Sequence, residues 1–259
     1  MTDMVQFSFA LSPRMRSFIE LRDALTCLES AHQTGRAIGW LHAACDLRDS
    51  LLGDHGRKNV IPEITSLLLD MQSYLKNLHD EVPQYQERIN QACEGIKSQI
   101  DQLQPGLPEA TDYLAKDALI NAYLNTQKKH DWLGHKLCMQ QSVKAIWDKS
   151  DVRTQPLHTA LVPLYDAVTS LDGMFHDFVH WKQRVATGGT GRITPERGTS
   201  CGLLVIGLPR ETVANGIIPD ISGNKLAIRL RFQLWNPGQA PQDISGDQPY
   251  AKMLVPVGA

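Results

Sequence analysis

The chain has 259 residues, of which 42% are hydrophobic and 21% charged, and its formal net charge is −2. This composition is typical of a packed globular protein rather than a disordered one. The slight acidic excess argues against a general nucleic-acid binder, so any cationic site must be local.

The chain is predicted to be helical from residue 12 to about residue 184. Ser12 and Pro13 have the residue types that cap and begin a helix, and Asn59 marks the start of a third helix that Pro83 is expected to break. Apolar residues between 114 and 123 predict one later helix, and "SVKAIW" predicts another. The last helix has the clearest 3/4 spacing, formed by Leu157, Leu161, Leu164, Val168, Leu171, Phe175 and Phe178.

The C-terminal part has the pattern of strands and loops. "TGGTGRITPERGTS" (187–200) is predicted to be a linker, and "CGLLVIGLP", "KLAIRLRFQL" and "KMLVPV" are predicted strands. The N-terminal "VQFSF" alternates as well and is expected to pair into the same sheet. The predicted fold class is therefore α+β: a mainly helical domain (10–186) followed by a small antiparallel β domain (187–259), with residues 1–9 pairing into its sheet.

The strand "KLAIRLRFQL" (225–234) has an unusual charge pattern. Its even positions from Leu226 to Leu234 are apolar, and its odd positions carry three cations and no anion. Arg229 and Arg231 are expected on one solvent face, roughly 6–7 Å apart by strand rise. They could present two planar forks to carboxylates or to the carbonyls of an incoming peptide. The simpler alternative is that the cations only protect an exposed strand.

Sequence motifs for catalysis or cofactor binding are weak. His176 and His180 are four residues apart but have no third ligand at a telling distance, and "GGTGR" lacks the lysine and hydroxyl of a phosphate-binding loop. The five cysteines show no CxxC pair. We therefore predict no catalytic residue, no metal and no cofactor. With no cationic N-terminal segment before an apolar run and no run of about 18 apolar residues, we expect a cytoplasmic protein without a membrane partner.

The segment "PDISGNKLAIRLRF" resembles the C-terminal signature of the ZapD family, bacterial division proteins that associate with FtsZ. Residues 7–16 resemble the family's opening strand and first helix, and residues 51–63 its second helix, basic turn and third-helix start. "LVPLYDAV" and "CGLLVIGLP" resemble its last helix and penultimate strand. The similarity is scattered but colinear over most of the chain. The chain departs from the family in lacking a glycine-rich segment with an "FDxP" motif and in having Ala118 where relatives place an arginine.

The resemblance implies a helical dimerisation domain joined to a β domain with a basic groove, which receives the acidic, partly apolar C-terminal tail of FtsZ. The implied function is that of a non-enzymatic cell-division factor which, as a homodimer, bundles FtsZ filaments at the mid-cell division ring. The implied tail-binding residues are Arg57, Lys58, Lys225, Arg229 and Arg231.

Two other functions stay open on the residues alone. A nucleic-acid binder could use the basic strand face together with Trp235. An enzyme could have its site in the helical region, which would then contain a deep pocket with clustered titratable groups.

Overall fold

The computed structural model describes residues 4–52, 59–127, 132–147, 150–195 and 201–258, and the α+β fold class predicted from the sequence is confirmed. None of the described helices combines the length and apolar character needed to cross a bilayer. The helices of the first part are α1 Pro13–Gln33, α2 Ala37–Leu52, α3 Ile61–Glu81, α4 Gln86–Leu103, α5 Pro108–Lys116, α6 Ala118–Gln127, α7 Trp132–Ile146 and α8 Ser150–Phe178.

The predicted helix boundaries are confirmed at three residues, at two of them by hydrogen bonds. Ser12 Oγ accepts a hydrogen bond from the N–H of Met15 at 3.2 Å, and Asn59 Oδ1 accepts one from the N–H of Ile61 at 2.9 Å. Helix α3 ends just before Pro83, which lacks the N–H needed to continue it, and a 3-10 turn leads into α4.

The single helix predicted around residues 114–123 is wrong, because the chain forms α5 and α6 with a break at Asp117. The backbone of Asp117 is extended (φ −60°, ψ 123°). Its Oδ1 accepts hydrogen bonds from the N–H groups of Leu119 and Ile120, each at 2.9 Å. Aspartate competes in this way for backbone donors at a helix start, and here it begins a new helix.

Contacts within the described residues divide the chain into two units. The helical unit comprises the described residues within 17–72 and 84–171, and the β unit those within 1–16, 73–83 and 172–259. The predicted boundary at residue 187 falls within a hairpin, since one strand ends at residue 186 and the next begins at residue 190.

The β unit contains two antiparallel sheets. Its elements are β1 Met4–Ala10, β2 Lys182–Ala186, β3 Thr190–Ile193, β4 Leu203–Pro209, α9 Arg210–Ala214, β5 Ile217–Asn224, β6 Ala227–Leu234, β7 Gln242–Asp243 and β8 Gln248–Val255. One sheet has the strand order β1-β4-β8-β2 and the other β3-β6-β5, with β7 pairing the end of β6. The N-terminal segment pairs with a C-terminal strand as expected, because β1 pairs with β4, but the single sheet that was expected is wrong, since β6 belongs to the other sheet.

Apolar residues from both sheets share one core, as in a sandwich. Its buried members are Ala186, Ile193, Leu204, Ile206, Leu208, Ile228, Leu230, Phe232 and Tyr250. The rings of Phe232 and Tyr250 lie 5.6 Å apart across this core. Sheet β3-β6-β5 therefore has its outward side chains on the opposite face.

The prediction that "TGGTGRITPERGTS" is a linker is wrong for its first part, which forms a tight turn and strand β3. Gly188 and Gly189 have positive φ angles of 58° and 69°. A Cβ on Gly189 would lie 2.4 Å from the backbone oxygen of Ile244, so only glycine fits. The N–H of Phe232 donates to Gly189 O at 2.8 Å, which holds the turn against β6.

Candidate functional site

The candidate site lies on the outward face of sheet β3-β6-β5. In β6 the side chains of Ile228, Leu230 and Phe232 are buried, and those at the odd positions point outward, as the alternation predicted. Leu226 is an exception: it was predicted on the buried face, but 75% of it is exposed. It lies in the turn before β6, where Asn224 Oδ1 accepts a hydrogen bond from its N–H at 2.9 Å.

Arg231 is neutralised by the strands on either side of it. Asp220 of β5 lies directly opposite and accepts two hydrogen bonds from the guanidinium, at 2.6 and 3.2 Å. Asp243 of β7 adds an ion pair at 3.7 Å. The hydrogen bond to Asp220, followed by the attraction of Asp243, raises the pKa of Arg231 still further above its usual value. The anions missing from β6 itself are thus supplied by its neighbours.

Arg229 has different neighbours, although it lies only two residues away. Ser222 of β5 is opposite it on one side, and Arg192 of β3 is opposite it on the other. Both arginines are exposed, and neither side chain makes an ion pair or hydrogen bond with another described residue. We call Arg192 and Arg229 the basic pair.

The basic pair breaks a general rule of sheet design. Like charges directly opposite each other on neighbouring strands destabilise a sheet. The register places these two cations opposite each other without a compensating anion among the described residues. Local rules are broken in this way mostly at functional sites, and the lost stability is compensated elsewhere in the fold.

A shallow groove of about 550 Å³ surrounds the basic pair. The exposed hydroxyl groups of Thr190 and Ser222 line it together with both arginines. Gly223 lines it on the hairpin side, at a position where only glycine fits because a Cβ would lie 2.3 Å from the backbone oxygen of Ala227. The two guanidinium groups can only donate hydrogen bonds, and the two hydroxyls can donate or accept them. The groove therefore suits an anionic ligand such as a carboxylate.

The structure brings together only part of the predicted site. Arg229 lies in the groove, Arg231 is engaged by aspartates beside it, and Lys225 is exposed in the turn before β6. Arg57 and Lys58 lie outside the described residues. Arg192 was missed by the sequence analysis. The sequence shows only that Arg192 is a cation two residues after Thr190. That this cation lies opposite Arg229 depends on the register of β3 against β6, which "TGGTGR" alone does not reveal.

The helical unit contains a partly buried polar network that the sequence did not reveal. Nε1 of the fully buried Trp40 donates to His158 Nε2 at 3.3 Å, and His158 Nδ1 lies 3.2 Å from Glu29 Oε2. The ring of His32 lies 4.4 Å from that of His158, and its Nδ1 is 3.1 Å from the hydroxyl of Thr154. Burial, followed by the nearby His32, lowers the pKa of His158 below 6.5, against the opposing attraction of Glu29.

This network fixes one tautomer of His158. Because Nε2 accepts the indole N–H, the proton of the neutral ring is on Nδ1, where it is donated to Glu29. Both ring nitrogens are therefore used within the protein, which suits a packing role better than proton transfer to a substrate.

A separate groove of about 720 Å³ runs between α1 and α2, and the titratable residues that line it are Glu20, Asp23, Cys27, Arg36, His42 and Asp46.

No family model matches this chain, and no curated protein matches it either.

Proposed function

We propose that this protein is a cell-division factor that binds the C-terminal tail of FtsZ at the basic pair and, as a homodimer, bundles FtsZ filaments at the mid-cell division ring in the cytoplasm. The observation that carries the proposal is the in-register pair of exposed arginines, Arg192 and Arg229, with no described anionic partner. The colinear resemblance to the ZapD family supports the choice of partner.

The physical chemistry of the groove suits a weak, repeated contact. An exposed charge pair contributes only about 0–1 kcal/mol, and a disordered tail loses chain entropy when it docks. A single tail should therefore bind in roughly the micromolar range or more weakly. A dimer has two grooves and a filament presents many tails, so that bundling depends on effective concentration rather than on one tight contact.

The test is a titration of a fluorescently labelled FtsZ C-terminal tail peptide, followed by anisotropy at low and moderate salt. We expect saturable binding that weakens with salt and is at least about 10-fold weaker in the double variant Arg192→Glu/Arg229→Glu. The matched control is Lys182→Glu/Arg184→Glu, which also reverses two charges, at exposed positions of β2. We expect it to bind within about 2-fold of the wild type.

Two results would reject the proposal. One is absence of peptide binding by the folded wild-type protein, with folding checked by circular dichroism. The other is equal weakening by Lys182→Glu/Arg184→Glu and by Arg192→Glu/Arg229→Glu, which would mean that net charge, rather than the basic pair, attracts the peptide. Light scattering that finds a monomer at cellular concentration would remove the bundling mechanism but not tail binding.

The same assay separates the two alternatives that the sequence left open. A nucleic-acid binder would bind labelled single- or double-stranded DNA at low salt more tightly than the tail peptide, and Arg192→Glu/Arg229→Glu would lose that binding. An enzyme would be sought in the α1–α2 groove, and a variant there, such as Asp23→Asn, would leave tail binding unchanged.

A further inference from the structure

The outer edge of strand β3 coincides with the basic pair. In the described sheet the strand order is β3-β6-β5. On its other side β3 is bridged only at its first residue, Thr190, by Thr187 of the preceding turn, so the edge beside Arg192 has no described strand paired with it. An open strand edge presents main-chain N–H and C=O groups on which another strand can pair. The direction in which the groups of Arg192 point therefore matters for what this edge can bind.

The hydrogen-bond pattern determines that direction. The N–H of Phe232 donates to Gly189 O at 2.8 Å, which makes this position of the β3–β6 ladder a hydrogen-bonded one. Such positions alternate along an antiparallel pair. Gly191 and Leu230 are therefore hydrogen-bonded to each other, whereas Arg192 and Arg229 form a non-hydrogen-bonded pair. The N–H and C=O of Arg192 consequently point away from β6, toward the open edge.

The same geometry brings the two guanidinium groups close to the edge. Side chains of a non-hydrogen-bonded pair are closer together than those of a hydrogen-bonded pair, because the Cα atoms are only about 4.5 Å apart. A strand added beside β3 would place one of its side chains next to Arg192 on the outward face, within reach of Arg229 as well. A carboxylate at that position would meet both cations of the basic pair.

We propose that the acidic tail binds by strand addition: it pairs its main chain with the outer edge of β3, and one of its carboxylates lies on the basic pair. This inference rests on the proposed function and specifies how the tail is held. An extended peptide bound in this way derives affinity from main-chain hydrogen bonds and specificity from alternate side chains. Only every second N–H of the peptide faces the edge of β3, and the others face solvent.

The experiment uses two N-methylated versions of the labelled tail peptide with the full-length protein. One version is methylated at the odd-numbered amides of its central segment and the other at the even-numbered amides, so that each removes one of the two alternating sets of N–H groups. We expect one version to bind at least about 10-fold more weakly than the parent peptide and the other to bind within about 2-fold of it.

The outcomes separate this inference from the proposed function. If both versions bind like the parent, or if both are weakened equally, strand addition is wrong. The proposed function then still stands, provided that Arg192→Glu/Arg229→Glu abolishes binding of the parent peptide. If the parent peptide itself does not bind, the proposed function fails and this inference fails with it.

A second measurement observes the protein side of the same contact. Amide exchange followed by NMR should show that the N–H of Arg192 is slowed at least about 10-fold when the peptide saturates the protein, since it becomes hydrogen-bonded. The N–H of Gly191 points toward β6 in either state and serves as the internal control. Unchanged exchange at Arg192 in the saturated complex would overturn strand addition.

Discussion

Replacing Trp40 with phenylalanine tests the polar network in the helical unit. The change removes the indole N–H that donates to His158 Nε2 and keeps an aromatic ring at this fully buried position. An unpartnered buried acceptor costs about 1–3 kcal/mol. The smaller ring also leaves a void, and a void of methyl size costs about 1 kcal/mol. We therefore expect Trp40→Phe to lower the free energy of unfolding by about 2–4 kcal/mol at pH 7.5.

The same variant should change how stability depends on pH. A protonated His158 would need a proton on Nε2, which would then face the N–H of Trp40, so that two donors would oppose each other. Because the folded-state pKa of His158 is lowered from 6.5, the unfolded chain binds this proton more readily. The contribution of His158 to stability is therefore fully present above pH 6.5 and is lost as the pH falls toward the folded-state pKa. Without the opposing N–H, the folded-state pKa rises and the loss becomes smaller.

The assay is urea unfolding followed by far-UV circular dichroism at pH 7.5, 6.5 and 5.5. A difference of one bound proton changes stability by at most about 1.4 kcal/mol per pH unit, which this method resolves. Tyr123→Phe is the control, since it removes a different hydrogen bond, that between the tyrosine hydroxyl and His42 Nε2 at 2.6 Å, and leaves His158 intact. If Trp40→Phe and the wild type lose the same stability between pH 7.5 and 5.5, the argument about the His158 tautomer is wrong.

Three further predictions follow from single residues. Asp117→Ala should lower the free energy of unfolding, measured in urea, by about 1–3 kcal/mol, because α6 loses its cap and Arg153 loses its anionic partner. Asp117→Asn still caps the helix, so it should lower the free energy of unfolding by less. Gly202→Ala should lower the melting temperature, because its Cβ would lie 2.0 Å from the backbone oxygen of Val257. Gly246→Ala should not lower it, because nothing lies within 4 Å of the added Cβ, and equal melting temperatures for the two variants would refute this reasoning. Arg231→Gln should weaken tail binding in the anisotropy assay much less than Arg229→Gln, because aspartates already neutralise the first arginine; the reverse order would show that the groove is assigned to the wrong arginine.

Helix ends could be predicted from the sequence where a capping residue or a proline acts on its own neighbouring backbone. Ser12, Asn59 and Pro83 marked helix ends correctly, because capping and the missing proline N–H act within a few residues of the chain. The same local logic failed for the two glycines at 188 and 189. Paired glycines occur both in flexible linkers and in tight turns, and what decides here is the hydrogen bond from Phe232, which is 43 residues away.

The site could be predicted only in part for a similar reason. Alternation along β6 was sufficient to place Arg229 outward. It said nothing of which side chains would lie opposite, because strand register is set by turns and core packing elsewhere. Arg192 therefore remained hidden, and Arg231 was expected to be available for a partner although Asp220 already binds it.

The contrast between Arg229 and Arg231 shows what makes this surface suitable for binding. The two residues have the same side chain on the same strand and differ only in their neighbours on the adjacent strands. In one row of cross-strand neighbours Asp220 lies opposite Arg231, and in a second row Ser222 and Arg192 lie opposite Arg229. The turn formed by glycines 188 and 189 holds β3 in the register that creates the second row. A slip of one residue would turn Arg192 toward the core and bring a glycine or isoleucine to the outward face. Core packing therefore maintains the basic pair, because Ile193 has to stay buried for Arg192 to remain outward beside Arg229.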